Sequence, residues 1–290
     1  EIGTGAYPGN AHCDPAMLLA SSAKLKAFRE TIERRGLQLA ALACHGNPLH
    51  PRTATARAHH AVFTETVRLA AKLGVDRVVT FSGCPGASAR ATEPNWIVAP
   101  WPPEYAEMLE WQWRERVVPY WRDAARLCKA QGVKVAIEMH PNFVVYNPET
   151  LLRLREIAPG VIGCNFDPSH LFWQGIDPVA AIRALGDAIY HVHAKDCHVD
   201  RLNVARNGVL DAKPYTREAD RSWIFRTVGY GHGAEVWKEI VSQLRLAGYD
   251  SVISIEHEDS LMSPGEGLRK AIAFLRDILM TEPPGRVYWA

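Results

Sequence analysis

The order of strand-like and helix-like segments is the feature that most constrains the fold of this 290-residue chain. Short runs rich in β-branched and other apolar residues end in polar residues, and helical patterns lie between them. Because these runs are continuously apolar, they predict parallel strands that are buried on both faces. The predicted strands are residues 37–46, 76–83, 133–140, 161–167, 189–196 and 251–259.

The segments between the strands carry the start and stop signals of helices. Residues 24–36, 56–74 and 117–132 each end in glycine, the residue typical of a helix C-cap. Asn147-Pro148 and Asp177-Pro178 have the form of an N-cap followed by a first-turn proline. Each strand–helix unit spans roughly 25 to 45 residues, which favours a (β/α)8 TIM barrel over an open doubly wound sheet.

The predicted barrel is a single domain that covers residues 1–290, with two long connections. Residues 1–5 have the pattern of the end of a strand, so we expect the first strand–helix unit to be missing from this sequence. Residues 84–116 contain four tryptophans, and residues 197–233 form the second long connection. Long loops in a compact domain usually cover a site.

The amino-acid composition argues against nucleic acid and membranes as partners of this protein. Lys and Arg number 33 against 32 Asp and Glu, without a basic run, which argues against a nucleic-acid partner. No uninterrupted apolar stretch reaches the length of about 18 residues that a membrane span needs. The chain starts without a signal-peptide pattern and its six cysteines are scattered, so we expect a cytoplasmic protein with reduced thiols.

Acidic residues and a histidine end four consecutive predicted strands. In a TIM barrel the chemistry lies where strands end, so these side chains are expected to converge. Converging carboxylates repel one another unless a cation lies between them. Three carboxylates and an imidazole suit Mn²⁺, Mg²⁺, Co²⁺ or Zn²⁺. The four residues are Glu138, Asp167, His193 and Glu256.

The sequences EMHP, NFDPSH, HVHAKD and SIEHED resemble the sugar phosphate isomerase/epimerase family, the xylose isomerase-like barrels that include ketose 3-epimerases and inosose dehydratases. The resemblance implies that Glu138, Asp167, His193 and Glu256 hold one divalent metal, for which we expect Mn²⁺, with Mg²⁺, Co²⁺ and Zn²⁺ as alternatives. It also implies that His170 contacts the substrate. The other histidine of HVH, His191, is expected to point elsewhere.

The resemblance implies proton abstraction next to a metal-bound carbonyl of a sugar or keto-sugar, through an enediolate. Glu138 and Glu256 are the candidates for exchanging the proton. His140 opens a second possibility, because a neutral imidazole is a better base near pH 7 than a metal-bound carboxylate. It could drive β-elimination from a 3-keto sugar or 3-keto-glycoside, as in relatives that include the large subunits of C-glycoside deglycosidases.

The sequence also offers further candidates for substrate binding and an expectation about subunits. His45, Lys195, Arg226 and His232 are further candidates for substrate binding, and Lys195 could instead pair with Asp196. The tryptophan-rich loop suggests a homo-oligomer, and a deglycosidase-like enzyme would add a small second subunit.

Two classes fit less well. An endonuclease acting on abasic DNA lacks support, because the strand at 76–83 ends without histidine and Tyr230 stands where an aspartate would be needed. A non-enzymatic binding module would require a structural metal site, and such sites are usually rich in Cys or His.

Overall fold

The computed structural model describes residues 1–287 and 289, and its main element is a parallel sheet. The strands are β1 Ile2–Gly3, β2 Leu42–Ala43, β3 Arg77–Phe81, β4 Lys134–Glu138, β5 Ile162–Phe166, β6 Ile189–Ala194, β7 Asp196–Val199, β8 Trp223–Arg226 and β9 Ile253–Ile255. Seven of them form one sheet in the order β1-β2-β3-β4-β5-β6-β9. Neighbouring strands from β1 to β6 pair in parallel.

Helices separate the strands of this sheet, which confirms the predicted alternation. They are α1 Pro15–Leu19, α2 Ser22–Arg34, α3 Thr53–Leu73, α4 Glu104–Trp111, α5 Val118–Gln131, α6 Pro148–Arg155, α7 Pro168–Phe172, α8 Pro178–Leu185, α9 Arg201–Asn207, α10 Ala234–Leu246 and α11 Pro264–Ile278. The predicted N-caps are also present: the Asn147 side chain accepts from Thr150 N at 2.9 Å, and Asp177 accepts from Ala180 N at 2.8 Å.

The segment 84–116 is less irregular than predicted. Helix α4 begins at Glu104, and a π-helical stretch, Gln112–Val117, joins it directly to α5. The predicted helix 117–132 begins too late, because Pro119, which lacks the N–H of the hydrogen-bond ladder, does not mark the start of the helical backbone here. A π-helical stretch tolerates such an interruption of the hydrogen-bond ladder, so the helix continues through it.

The connection 197–233 contains secondary structure that the sequence analysis missed. Strands β7 and β8 form a separate antiparallel pair, with Asp196 opposite Arg226 and Val199 opposite Trp223. Tryptophan and phenylalanine side chains of this pair are buried together with Trp173, whose ring stacks on Trp223 at 4.5 Å between centroids. Aromatic packing across the pair explains why these residues form strands rather than a loop.

The chain divides into two compact units. The first consists of Glu1–His170, Ala184–His193 and Ser251–Ser254, and the second of Leu171–Arg183, Ala194–Asp250 and Ile255–Ala290. One domain over residues 1–290 therefore stays a prediction. In the described part of the chain, no helix combines the length and apolar character needed to cross a bilayer.

Candidate metal and substrate site

Glu138 is the last residue of β4 and is 2% exposed in the first unit. Its Oε2 lies 2.9 Å from His45 Nε2 and accepts a hydrogen bond of 3.0 Å from Asn165 Nδ2. Its Oε1 lies 3.1 Å from His170 Nε2. Both carboxylate oxygens are thus held in place by side chains from β5, from helix α7 and from the segment after β2.

The surroundings of Glu138 keep its carboxyl group ionised. Burial by itself raises the pKa of Glu138, but the charge of His45 and hydrogen bonds from His170 and His45 hold its pKa well below the usual range. A buried negative charge of this kind requires positive charge around it. Glu138 is therefore suited to bind a cation.

Asp167 and His193 lie next to Glu138. Asp167 follows the last residue of β5, is fully buried, and accepts from Ser169 N at 2.9 Å. His193 lies on β6, is 3% exposed, and has Nδ1 3.5 Å from Glu138 Oε2. One oxygen from each carboxylate and one ring nitrogen of His193 lie within 4.8 Å of one another.

The three side chains fit a divalent metal ion. Two carboxylates and an imidazole are ligands that Mn²⁺, Mg²⁺ and Zn²⁺ all accept. Two buried carboxylates at this separation repel each other, and a cation between them removes that repulsion. Three of the four predicted ligands, Glu138, Asp167 and His193, are therefore brought together within one unit.

The fourth predicted ligand, Glu256, follows β9 and belongs to the second unit. There Lys195 Nζ lies 2.9 Å from Glu256 Oε2 and 3.2 Å from Glu258 Oε2. Lys195 is 2% exposed, and its ammonium group lies 4.8 Å from the centre of the Phe225 ring. Lys195 thus pairs with these glutamates, and the role of Glu256 as a metal ligand stays a prediction.

His140 lies beside Glu138 and His170. One ligand-capable atom of each of these residues lies within 4.8 Å of the others, and the rings of His140 and His170 are 4.1 Å apart. His140 Nδ1 donates to the Pro141 carbonyl at 2.5 Å, and its ring packs against Phe81 at 4.7 Å. His140 is therefore held in one orientation next to a predicted catalytic carboxylate.

Sequence reasoning missed a contact between Glu1 and two histidines. Glu1 Oε2 lies 2.8 Å from His191 Nε2 and 3.0 Å from His193 Nε2, and His191 also contacts Ser254 Oγ at 2.9 Å. His191 faces the same side of β6 as His193, because residues two apart on a strand do so, but among the described residues its partners are Glu1 and Ser254 rather than Glu138 or Asp167. The two-residue repeat of a strand would have placed His191 beside His193, whereas nothing in the sequence singles out Glu1.

Arg226 and His232 lie in the second unit, each bound to a buried aspartate. Arg226 Nε donates to Asp259 Oδ2 at 3.1 Å, and its guanidinium group lies 5.6 Å from the centre of the Tyr230 ring. His232 Nδ1 lies 2.8 Å from Asp196 Oδ1. The structure therefore shows both predicted substrate-binding residues paired with an aspartate, and their roles in substrate binding stay predictions.

A parallel sheet covered by helices, with candidate metal-binding side chains at the ends of its strands, is the arrangement found in TIM-barrel enzymes. The chain belongs to the xylose isomerase-like TIM barrel family, whose model matches residues 9–278. The predicted fold and family resemblance are therefore confirmed.

Proteins similar in sequence to this chain have different names. The chain is 40% identical over 282 residues to the uncharacterized protein YfiH of Bacillus subtilis (strain 168), covering 96% of this chain and 90% of YfiH. It is 33% identical over 103 residues to an inosose dehydratase of Geobacillus kaustophilus (strain HTA426), covering 35% of this chain and 32% of that protein.

Solved structures share the fold at lower identity. The 3-keto-D-glucoside 4-epimerase YcjR from E. coli has a TM-score of 0.60 and 16% identity, and the match covers 95% of this chain and 98% of that chain. At this identity the likeness concerns the fold alone. The reaction of this chain must be argued from its own residues.

Proposed function

We propose that this protein is a divalent-metal-dependent sugar isomerase or epimerase that moves a proton next to the carbonyl group of a small sugar or keto-sugar. The observation that carries the proposal is the buried cluster of Glu138, Asp167 and His193, whose ligand atoms lie within 4.8 Å of one another. Glu256 is proposed as the fourth ligand, and Mn²⁺ as the metal.

A bound divalent ion would polarise the substrate carbonyl and make the adjacent C–H group more acidic. Glu138 and Glu256 are the proposed pair that removes and returns the proton. His45 and His170 orient the Glu138 carboxylate through contacts of 2.9 and 3.1 Å. The lowered pKa of Glu138 keeps this carboxylate ionised at neutral pH but makes it a weak base, so the transfer depends on a C–H group that the metal would make more acidic.

The sugar hydroxyl groups require donors and acceptors of their own. Arg226, Lys195 and His232 are the proposed contacts: Arg226 and Lys195 carry N–H groups beside a carboxylate partner, and His232 offers Nε2 as an acceptor because its Nδ1–H is donated to Asp196. Fixed donors recognise a hydroxyl at a lower entropic cost than mobile ones.

A dehydratase is the second candidate, favoured by the position of His140. The Nδ1–H of His140 donates to the Pro141 carbonyl, which makes Nε2 the accepting nitrogen of the neutral ring. A base of this kind could remove the proton that precedes β-elimination. The inosose dehydratase among the relatives supports this alternative.

Incubation with Mn²⁺ and candidate ketoses or 3-keto-glycosides in D₂O, followed by NMR, tests both candidates. Deuterium at a stereocentre without loss of a group is the result expected for an isomerase or epimerase. An unsaturated product or a freed aglycone would identify a lyase instead. If no sugar gains deuterium and none is consumed, both proposals are wrong.

A further inference from the structure

Asp196 in the second unit accepts an unusual number of hydrogen bonds for one carboxylate. It is fully buried and lies two residues after the end of β6. Oδ1 accepts from Cys197 N at 2.8 Å and His232 Nδ1 at 2.8 Å; Oδ2 accepts from Gly229 N at 3.0 Å, Gly231 N at 3.1 Å, His232 N at 2.9 Å and Trp237 Nε1 at 3.1 Å. All six partners are N–H donors, so Asp196 acts only as an acceptor.

The glycines at positions 229 and 231 allow the chain to wrap around this carboxylate. A Cβ atom on Gly231 would lie 2.3 Å from the Cys197 carbonyl oxygen and 2.6 Å from Asp196 Oδ1. Gly229 has a φ of +89°, which other residues rarely adopt. The sequence GYGHG therefore brings the backbone of His232 against Asp196.

This contact fixes the tautomer of His232. Since Asp196 Oδ1 accepts, Nδ1 of the neutral imidazole carries the hydrogen and Nε2 carries the lone pair. The ring also stacks on Phe172, with centroids 3.6 Å apart and an angle of 15° between the planes. Imidazole Nε2 is thus aimed in one direction by a hydrogen bond on one side and an aromatic ring on one face.

His232 remains accessible despite these contacts. Its side chain is 26% exposed, whereas that of Asp196 is fully buried. Among residues 1–287 and 289, no partner lies within hydrogen-bond distance of Nε2. The backbone bonds to Asp196 already hold the loop, so Nε2 is not needed for that purpose.

We infer that His232 is a proton-exchange residue for a hydroxyl group of the substrate, and that Asp196 is its positioning residue. The substrate O–H bond breaks, its electron pair stays on oxygen, and the proton forms a new bond to Nε2; the reverse step restores both groups. Asp196 stabilises the imidazolium ion that forms, as carboxylates do beside histidine bases. Only the assignment of the hydroxyl group to a sugar rests on the proposed function.

The tautomer can be tested without any substrate. NMR of protein labelled with ¹⁵N-histidine, with His232→Asn used to assign the signal, is expected to show a hydrogen on Nδ1 and none on Nε2 in the neutral ring. The opposite tautomer would overturn the inference. Because no sugar is present, this result does not depend on the proposed function.

Kinetics test the role of the residue. His232→Asn is expected to lower kcat by about 100-fold or more and to leave KM nearly unchanged, because general acid–base groups contribute about 10²–10⁴-fold. His198→Asn, at an exposed histidine of β7, is the matched control and should behave as wild type. A variant at position 232 with wild-type kcat would refute the inference. If the wild type turns over no sugar, the proposed function fails, and the tautomer then decides the inference on the Asp196–His232 pair.

Discussion

Two glutamates at the end of β9 are expected to differ in function although both contact Lys195. Glu256→Gln should lower the affinity for Mn²⁺ by at least about 10-fold, since even residues that only orient metal ligands cost about 10–100-fold, and it should abolish turnover. Glu258→Gln removes a contact of similar length, 3.2 Å against 2.9 Å, and serves as the control. Isothermal titration calorimetry measures both affinities. Equal affinities in the two variants would show that Glu256 is not a ligand.

Asp211 makes the free energy of unfolding depend on pH in the acidic range. Burial raises its pKa, but hydrogen bonds from Lys213 and from the backbone of Ser222 and Lys213 lower it from 3.8 to about 2. The folded state thus binds this proton more weakly than the unfolded state does. The resulting stability, about 2 kcal/mol, is present above the unfolded pKa and is lost as the pH falls toward the folded pKa.

Asp211→Asn tests this dependence. Urea unfolding should show that the variant is less stable at neutral pH, and that its difference from wild type shrinks as the pH is lowered from about 5 to about 3. A difference that stays constant over this range would contradict the assignment.

The sequence predicted the cluster of candidate metal ligands better than the contacts around it. Glu138, Asp167 and His193 could be found because parallel strands end at one edge of their sheet. His45 and His170 were predicted as substrate-binding residues, and the structure shows them in contact with Glu138. Such contacts depend on how close the strand ends lie in the folded sheet. The sequence alone does not give the order of the strands, so it does not predict these contacts.

At the scale of elements, packing against the next strand requires a glycine at position 163 of β5. A Cβ atom on Gly163 would lie 2.3 Å from Tyr190 Cε2 and 2.5 Å from the Ala188 carbonyl oxygen. Gly163→Ala should therefore lower the free energy of unfolding by about 1–3 kcal/mol, the usual cost of overpacking. Urea unfolding provides the measurement.

Gly265→Ala is the control for that substitution. Position 265 lies in the first turn of α11, where the nearest atom to an added Cβ, Arg269 Nη1, is 3.5 Å away. This variant should be at least as stable as wild type, because alanine is the better helix former. If both variants unfold at the same urea concentration, the crowding at Gly163 is not real.

Helix ends and strand alternation could be predicted from local signals, whereas two elements could not. The caps at Asn147 and Asp177 depend on side chains next to the backbone that they bind. The β7–β8 pair depends on aromatic packing with Trp173, which is distant in sequence. The π-helical stretch Gln112–Val117 lies just before Pro119, and no local signal in the sequence shows where such a stretch forms.

At the scale of the whole molecule, the fold alone does not decide the reaction, since one fold can host different reactions and the proteins similar to this chain include an epimerase and an inosose dehydratase. Metal binding, however, should stabilise the entire chain. Mn²⁺ at 100 times its Kd would raise the free energy of unfolding by about 2.7 kcal/mol. The Tm should therefore rise by several degrees, as measured by differential scanning calorimetry. Glu138→Gln should lose this increase, and a wild-type Tm that is the same in Mn²⁺ and in EDTA would contradict the prediction.

The most direct test of the account is the stoichiometry of Mn²⁺ on metal-free protein, measured from the EPR signal of the unbound ion. We predict one Mn²⁺ per chain for wild type and for the control variant His198→Gln, and at least about 10-fold weaker binding for His193→Gln. A wild-type protein that binds no Mn²⁺, or a His193→Gln variant that binds it as tightly as wild type does, would contradict the claim that these strand-end residues hold a metal.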